Sequence, residues 1–230
     1  MIRVPNTLAA LQQLAAHHRN RFDYPVIGIT GSNGKTIVKE WIYHLLEGKY
    51  HVVRSPKSYN SQVGVPLSVW NMSVEYNLAV FEAGISRPME MQRLENIIQP
   101  TIGIFTNIGE AHQENFRDFR QKIREKLNLF EEVEAIIYCK DHETIHKEIT
   151  GHDQLRQKRL VTWSVQGDAD LNVEDAEVNQ SSARISATYH GQELGLTIPF
   201  TDRGSLENAL HVWLLMLDMG LDMPHIQSRM

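Results

Sequence analysis

Two hydrophobic patterns alternate along most of the chain. Short continuous apolar runs, of which VIGIT at 26–30 is the first, have the length and β-branched content of strands buried on both faces. The stretches between them repeat apolar residues at helical spacing. In order, the pattern predicts strands over 26–30, 51–53, 78–82, 102–106 and 135–138. Helices are predicted over 35–47 and 65–71, from Pro88 onward, and across 110–131. Strands that alternate with helices pair in parallel with helices on both faces, so the chain predicts an α/β fold: a mostly parallel sheet flanked by helices. After Gly151 come shorter runs rich in Val, Thr, Ser and Ile, at 160–164, 170–176, 184–190 and 193–198, with YHGQ as a hairpin turn. They predict a small antiparallel β region in the C-terminal third, followed by a helix over 205–219. Leu8, Leu11, Leu14 and Ala15 mark a first helix over 7–18, capped by Asn6 or Thr7. The expected division is a leading helix and linker at 1–24, a main domain at 25–220 and the start of another linker at 221–230.

Composition narrows the classes. With 230 residues, 42% of them hydrophobic, the chain can bury one sizeable core. A formal net charge of −5 without a basic stripe argues against nucleic acid as a partner, so an anionic ligand must be gripped locally. Cys139 is the one cysteine; it excludes a disulfide framework, suits a reducing compartment and reads as a small core residue. No apolar run could span a bilayer and the first residues lack the apolar core of a signal peptide, so the expected location is cytoplasmic, with no membrane partner.

The stretch GITGSNGKTIVKEW, 28–41, concentrates the candidate chemistry. A buried strand that delivers a glycine-rich turn into a helix start aims backbone N–H groups and a partial positive charge at one point, which suits phosphate. Amides spanning Ser32 to Thr36, through Asn33 and Gly34, are expected to hold triphosphate oxygens, with Lys35 adding a full charge and the Thr36 hydroxyl reaching Mg²⁺. The loop is a tight P-loop variant, since Ile29 stands where the usual spacing has glycine and Gly31 lies closer to Gly34. Gly28, Gly31 and Gly34 are also evenly spaced, but they do not make a dinucleotide fingerprint and no acidic residue ends the next strand.

Such a loop needs an acidic or imidazole counterpart at neighbouring strand ends. Glu82 closes LAVFE, and IGIFTNIGEAH runs off its strand to end on His112; each alone also reads as a solvated strand end or a helix-start residue. A separate signal, HExxH at 142–146 with His152 at third-ligand spacing, would make Glu143 the base of a zinc hydrolase. Against it, Ile149 stands where that motif requires glycine, and Ile145 and Ile149 form an ordinary buried stripe.

TGSNGKT (30–36), NSQVGVPL (60–67), FEAGISRPMEM (81–91), TNIGEAHQENF (106–116) and REKLNLF (124–130) together resemble the Mur ligases, in order, over about 25–220. The resemblance implies the central ATP-binding domain of a three-domain enzyme, with the flanking domains missing. It is nearest the branch that joins D-alanyl-D-alanine to a UDP-muramoyl tripeptide. It implies ATP and two Mg²⁺ ions, a carboxylate activated as an acyl phosphate, and attack by an amine. Thr36 and Glu82 would hold one ion and His112 the second; Asn60 and Ser86 fall in substrate-contact segments, and Asn208 would meet the adenine edge. Lys126 aligns with a lysine that forms a carbamate and so becomes a metal ligand, although Leu127 and Asn128 replace the usual glycine and glutamate. Read without the resemblance, Lys126 is a solvated helix lysine. Ser61, Gly204 and Ser205 depart from the family pattern and resemble the ligase half of a form fused to an alanine racemase. Folylpolyglutamate synthetase is the sibling reading, and a domain that binds nucleotide without turnover is the non-enzymatic one.

Overall fold

The computed structural model describes residues 3–110 and 113–230. A nine-stranded sheet runs through the molecule. Its strands are β1 (Val26–Thr30), β2 (Val52–Arg54), β3 (Leu78–Glu82), β4 (Ile102–Phe105), β5 (Ala135–Cys139), β6 (Arg159–Ser164), β7 (Leu171–Val178), β8 (Ala183–Tyr189) and β9 (Gln192–Ile198). The spatial order is β2-β3-β1-β4-β5-β6-β7-β8-β9, parallel as far as β7 and antiparallel from β7 to β9. The antiparallel region is therefore a continuation of the main sheet. The first strand lies between β3 and β4, so the crossovers part beside its carboxyl end, where open α/β sheets form a crevice.

Alternate residues of the strands feed two cores. Ile27 and Ile29 of β1, with Leu78 and Val80 of β3, face one layer of helices: α2 (Lys35–Leu46), α7 (Arg203–Asp218) and α8 (Met223–Arg229). Val26, Ala79 and Phe81 face the other, built from α1 (Thr7–Arg19), α3 (Gly64–Val69), α4 (Met91–Ile98), α5 (Phe119–Leu127) and α6 (Glu143–Thr150). This two-sided burial explains why the central strands read as unbroken apolar runs. Gly28, met in the sequence as a loop glycine, lies inside β1 opposite Gly103 of β4. A Cβ on Gly28 would come 2.8 Å from Pro100, just before β4, and one on Gly103 would come 2.5 Å from the Phe130 ring, so the two glycines make room for Pro100 and for the chain that follows α5.

Three expectations change. The fourth helix begins at Met91 rather than Pro88, because the Glu90 carboxylate accepts from the amides of Ser86 and Arg87 and holds that segment in a turn. The 110–131 segment resolves into α5 between short 3₁₀ turns at Gln113–Asn115 and Asn128–Phe130. The segments expected as linkers are docked. Ala15 and Arg19 of α1 are buried, and the Arg19 guanidinium donates to the carbonyls of Phe22, Ile98 and Gln99, closing the end of α4. His18 is half-buried against Phe22 and Trp70 and bonds the Met72 carbonyl at 3.0 Å. At the other end Ile226 is fully buried and His225 reaches the Leu45 carbonyl at 2.7 Å.

Replacing Arg19 strips those carbonyls of their donor. Arg19→Ala is expected to cost about 2 kcal/mol or more in urea denaturation. An unchanged midpoint would contradict the docking of α1.

Candidate functional site

The loop between β1 and α2 depends on its two glycines. Gly31 has φ +143°, and a Cβ there would lie 2.0 Å from the Thr106 hydroxyl; Gly34 has φ +81°, and a Cβ would lie 2.1 Å from Asn208 Oδ1. The segment after β4 braces the loop from one side. Ser32 N–H donates to the Asn107 carbonyl at 2.9 Å, Asn33 N–H to Asn107 Oδ1 at 3.0 Å, and the Thr106 hydroxyl to the Asn33 carbonyl at 2.6 Å. The expected run of phosphate-facing amides is thereby shortened, since those of Ser32 and Asn33 are taken up. The amides of Gly34, Lys35 and Thr36 have no acceptor among the described residues and open the N-terminus of α2.

Two lysines converge on one carbonyl. Lys35 Nζ donates to Gly31 O at 2.9 Å and to Ser32 O at 3.1 Å, and Lys126 Nζ donates to the same Gly31 O at 3.0 Å. Lys122, one turn before Lys126 on α5, donates to the Gly109 carbonyl. Lys126 is 3% exposed, which overturns its reading as a solvated helix residue. Among the described residues none of the three forms an ion pair with a carboxylate. Burial pulls the Lys126 ammonium down to about 7, helped by the charges of Lys35 and Lys122. Burial also lowers Lys35; Glu82 opposes this shift and Lys122 adds to it.

The acid stands across the loop. Glu82 ends β3 fully buried, and its carboxylate accepts from the Thr36 hydroxyl at 3.0 and 3.2 Å, Asn60 Nδ2 at 3.2 Å and Lys39 Nζ at 3.1 Å. A threonine hydroxyl beside an ionised carboxylate is a hard-oxygen donor set that fits Mg²⁺, which takes few protein ligands. Asn60, Ser86, Lys35, Lys126, Gly31 and Ser32 share a cavity of about 160 Å³. The expected residues of loop, metal and substrate are thus brought together, apart from His112, which lies outside the described residues. Asn208 is buried with its carboxamide packed on Gly34, and its Oδ1 has no hydrogen-bond partner among the described residues. From there it braces the loop, a placement the adenine-edge expectation did not include.

Lys39 and Lys122 were not singled out from the sequence, although spacing carries a signal for both. Lys39 falls within the stripe Val38, Ile42, Leu45 and Leu46 that α2 buries, and Lys122 precedes Lys126 by four residues. The zinc motif disperses. His142 pairs with Glu207 at 2.8 Å, His146 with the Tyr138 hydroxyl at 2.8 Å, and His152 with the Leu155 amide at 3.4 Å. No group of three or more His, Cys, Asp or Glu among the described residues could hold a metal ion. A larger cavity of about 410 Å³ lies beside α7, lined by Trp163, Val173, Leu206 and Leu210, and contains none of the loop residues.

Residues 29–216 match the Mur ligase middle domain, and the chain belongs to that family. It is 31% identical over 214 residues to the UDP-N-acetylmuramoyl-tripeptide–D-alanyl-D-alanine ligase of Bacillus subtilis, covering 91% of this chain and 45% of that protein. It is 30% identical over 230 residues to the ligase of that name from Treponema pallidum, covering 100% of this chain and 49% of that protein. The chain thus spans about half the length of these relatives. Among solved structures, the MurF ligase of Thermotoga maritima in complex with ADP superposes with a TM-score of 0.86 at 24% identity, covering 99% of this chain and 53% of that one. A folylpolyglutamate synthetase of L. casei superposes less well, with a TM-score of 0.67 at 13% identity over 99% of this chain and 67% of that one. These structural likenesses speak to the fold.

A buried imidazole links α7 to the loop. His211 Nε2 donates to the Thr106 carbonyl at 2.9 Å, while its Nδ1 accepts from the Trp163 indole at 3.1 Å, which fixes a neutral tautomer. Burial lowers its pKa to about 4. The unfolded chain therefore binds this proton first. The stabilisation is complete above about pH 6.5 and is lost as pH falls toward 4, by about 3 kcal/mol. Urea denaturation between pH 7 and 4 is expected to show that loss in the parent chain and a flatter profile in His211→Gln; parallel profiles would contradict it.

Proposed function

We propose that this chain is the ATP- and Mg²⁺-binding middle domain of a ligase that joins D-alanyl-D-alanine to a UDP-N-acetylmuramoyl tripeptide. The observation that carries the reading is the cluster of Lys35, Lys122 and Lys126 around a glycine loop with no carboxylate partner among the described residues. Uncompensated cations at a helix start favour a polyanion. Sequence identity at the level of the Bacillus and Treponema ligases, against the lower likeness to folylpolyglutamate synthetase, supports the cell-wall branch.

The roles follow from position. The three open amides of Gly34, Lys35 and Thr36 face the place of the phosphates. Lys35 is a flexible cation held now by two carbonyls, free to exchange them for phosphoryl oxygens. Thr36 and Glu82 would hold magnesium, which when bound neutralises phosphate charge. Asn60 and Ser86, on the far wall of the same cavity, would orient the carboxylate to be activated. Lys126 is suited to carbamate formation because a substantial share of its amine is neutral near pH 7. Its nitrogen would attack CO₂, forming an N–C bond and releasing one proton to solvent, and the product would be an anionic oxygen donor. This donor and His112 would hold the second ion. Because the chain spans about half the length of its relatives, nucleotide binding without turnover is the activity expected of it alone.

Two measurements test this. In calorimetric titration with ATP and Mg²⁺, Lys35→Ala is expected to weaken binding roughly tenfold or more, as loss of a charged hydrogen bond should; equal affinities would contradict the site. With ¹³C-bicarbonate, NMR is expected to show a carbamate signal that grows as pH rises through about 7, since only the neutral amine reacts, and that disappears in Lys126→Met. A signal that persists in the variant would remove Lys126 from the metal set.

A further inference from the structure

The buried cation on the other side of Glu82 has no part in the scheme above. Lys39 is 0% exposed. Its ammonium donates to the Ser55 carbonyl at 2.8 Å, to the Lys57 carbonyl, and to Glu82 Oε1 at 3.1 Å, with Glu40 Oε1 also at 3.1 Å. An ammonium has three protons, so these contacts use all of its donors. The bonds join three separate places, two that accept and one that donates. Glu82 ends β3, Ser55 and Lys57 belong to the segment after β2 that leads to Asn60, and Lys39 itself lies one turn beyond Lys35 on α2.

The carboxylate is shared in a definite way. Lys39 takes Oε1 and Asn60 Nδ2 takes Oε2 at 3.2 Å, while the Thr36 hydroxyl reaches both, 3.2 Å from Oε1 and 3.0 Å from Oε2. Glu82 is fully buried, and burying a carboxylate is costly unless a cation and hydrogen-bond donors surround it. Lys39 is the cation within ion-pair distance of Glu82 among the described residues. Its stem is equally fixed, because it belongs to the buried stripe of α2 and cannot swing to solvent.

We infer that Lys39 is a positioning residue: it holds the Glu82 carboxylate beside the Thr36 hydroxyl and ties the 55–60 segment to the metal side of the site. The inference rests on the reading of Thr36 and Glu82 as a divalent-metal site. Lys39 touches neither nucleotide nor metal in this account. Its removal acts on metal affinity through Glu82 and leaves the phosphate-facing amides and Lys35 in place. Residues that orient a metal ligand are typically worth roughly 10- to 100-fold in metal affinity.

The test titrates the chain with Mn²⁺ in the presence of a non-hydrolysable ATP analogue, read by electron paramagnetic resonance, beside analogue binding in EDTA. Lys39→Met is expected to weaken Mn²⁺ binding roughly tenfold or more while metal-free analogue affinity stays within about threefold. Retained Mn²⁺ affinity in a folded Lys39→Met protein would overturn the inference. Absence of Mn²⁺ or analogue binding by the parent chain would instead overturn the nucleotide-site reading. A second measurement covers the case in which Lys39→Met folds poorly. Removing both charges in Lys39→Met/Glu82→Gln leaves no orphaned ion, so the double variant is expected to melt at a higher temperature than Lys39→Met alone. A double variant that melts at or below the single one would show that Lys39 does not act through Glu82, and would overturn the inference equally.

Discussion

The site depends on an electrostatic imbalance. Lys35 and Lys126 point at a single backbone carbonyl, Gly31 O, from two different helices, and Lys122 adds a third cation within the same neighbourhood. Burial, and then repulsion among like charges, lowers the pKa of Lys126, which is one response to this crowding. The other is affinity for an anion rich enough in charge to satisfy all of them. The neighbouring acids act on this group without pairing with it among the described residues: Glu114 and Glu110 face Lys122, and Glu82 lies across the loop, bound to Thr36, Asn60 and Lys39. Separate positive and negative compartments on either side of one helix start are what a metal-complexed polyphosphate requires.

Packing keeps those compartments in place. The left-handed Gly34 leans on Asn208, the Thr106 hydroxyl caps the Asn33 carbonyl, and His211 holds the Thr106 carbonyl from α7. The loop is thus fixed from the β4 side and from the C-terminal helix layer at once. Because its braces come from residues 106, 107, 208 and 211, the loop conformation is a property of the whole domain. The docking of α1 and α8 on opposite faces belongs to the same economy of burial: each covers apolar sheet or helix surface that would otherwise face water.

Much of this was legible in the sequence, for physical reasons that can be named. Unbroken apolar runs such as VIGIT marked strands buried twice over, and glycine spacing before a lysine marked a turn into a helix start. Glu82 was legible because it ends such a run. What composition and periodicity concealed was the partner of each polar group. A lysine in REKLNLF looks solvated until α5 is laid over the loop and Lys126 is found buried. The same holds for Lys39, whose helical position predicts burial but whose acceptors at Ser55, Lys57 and Glu82 come from other elements. The converse case is HExxH, a local spacing that Ile149 and the buried stripe already spoke against and that is dispersed because His142, His146 and His152 each find a different partner. Likewise an amphipathic helix signals that it must dock, without saying on what, which is why α1 read as a linker.

The central claim is that uncompensated lysines and open amides make this crevice a receptor for a polyphosphate. Calorimetric affinities for AMP, ADP, ATP and inorganic tripolyphosphate, each with Mg²⁺, test it most directly. The account predicts that affinity climbs with each added phosphate and that tripolyphosphate competes with ATP. Equal affinity for AMP and ATP, with no competition from tripolyphosphate, would contradict it.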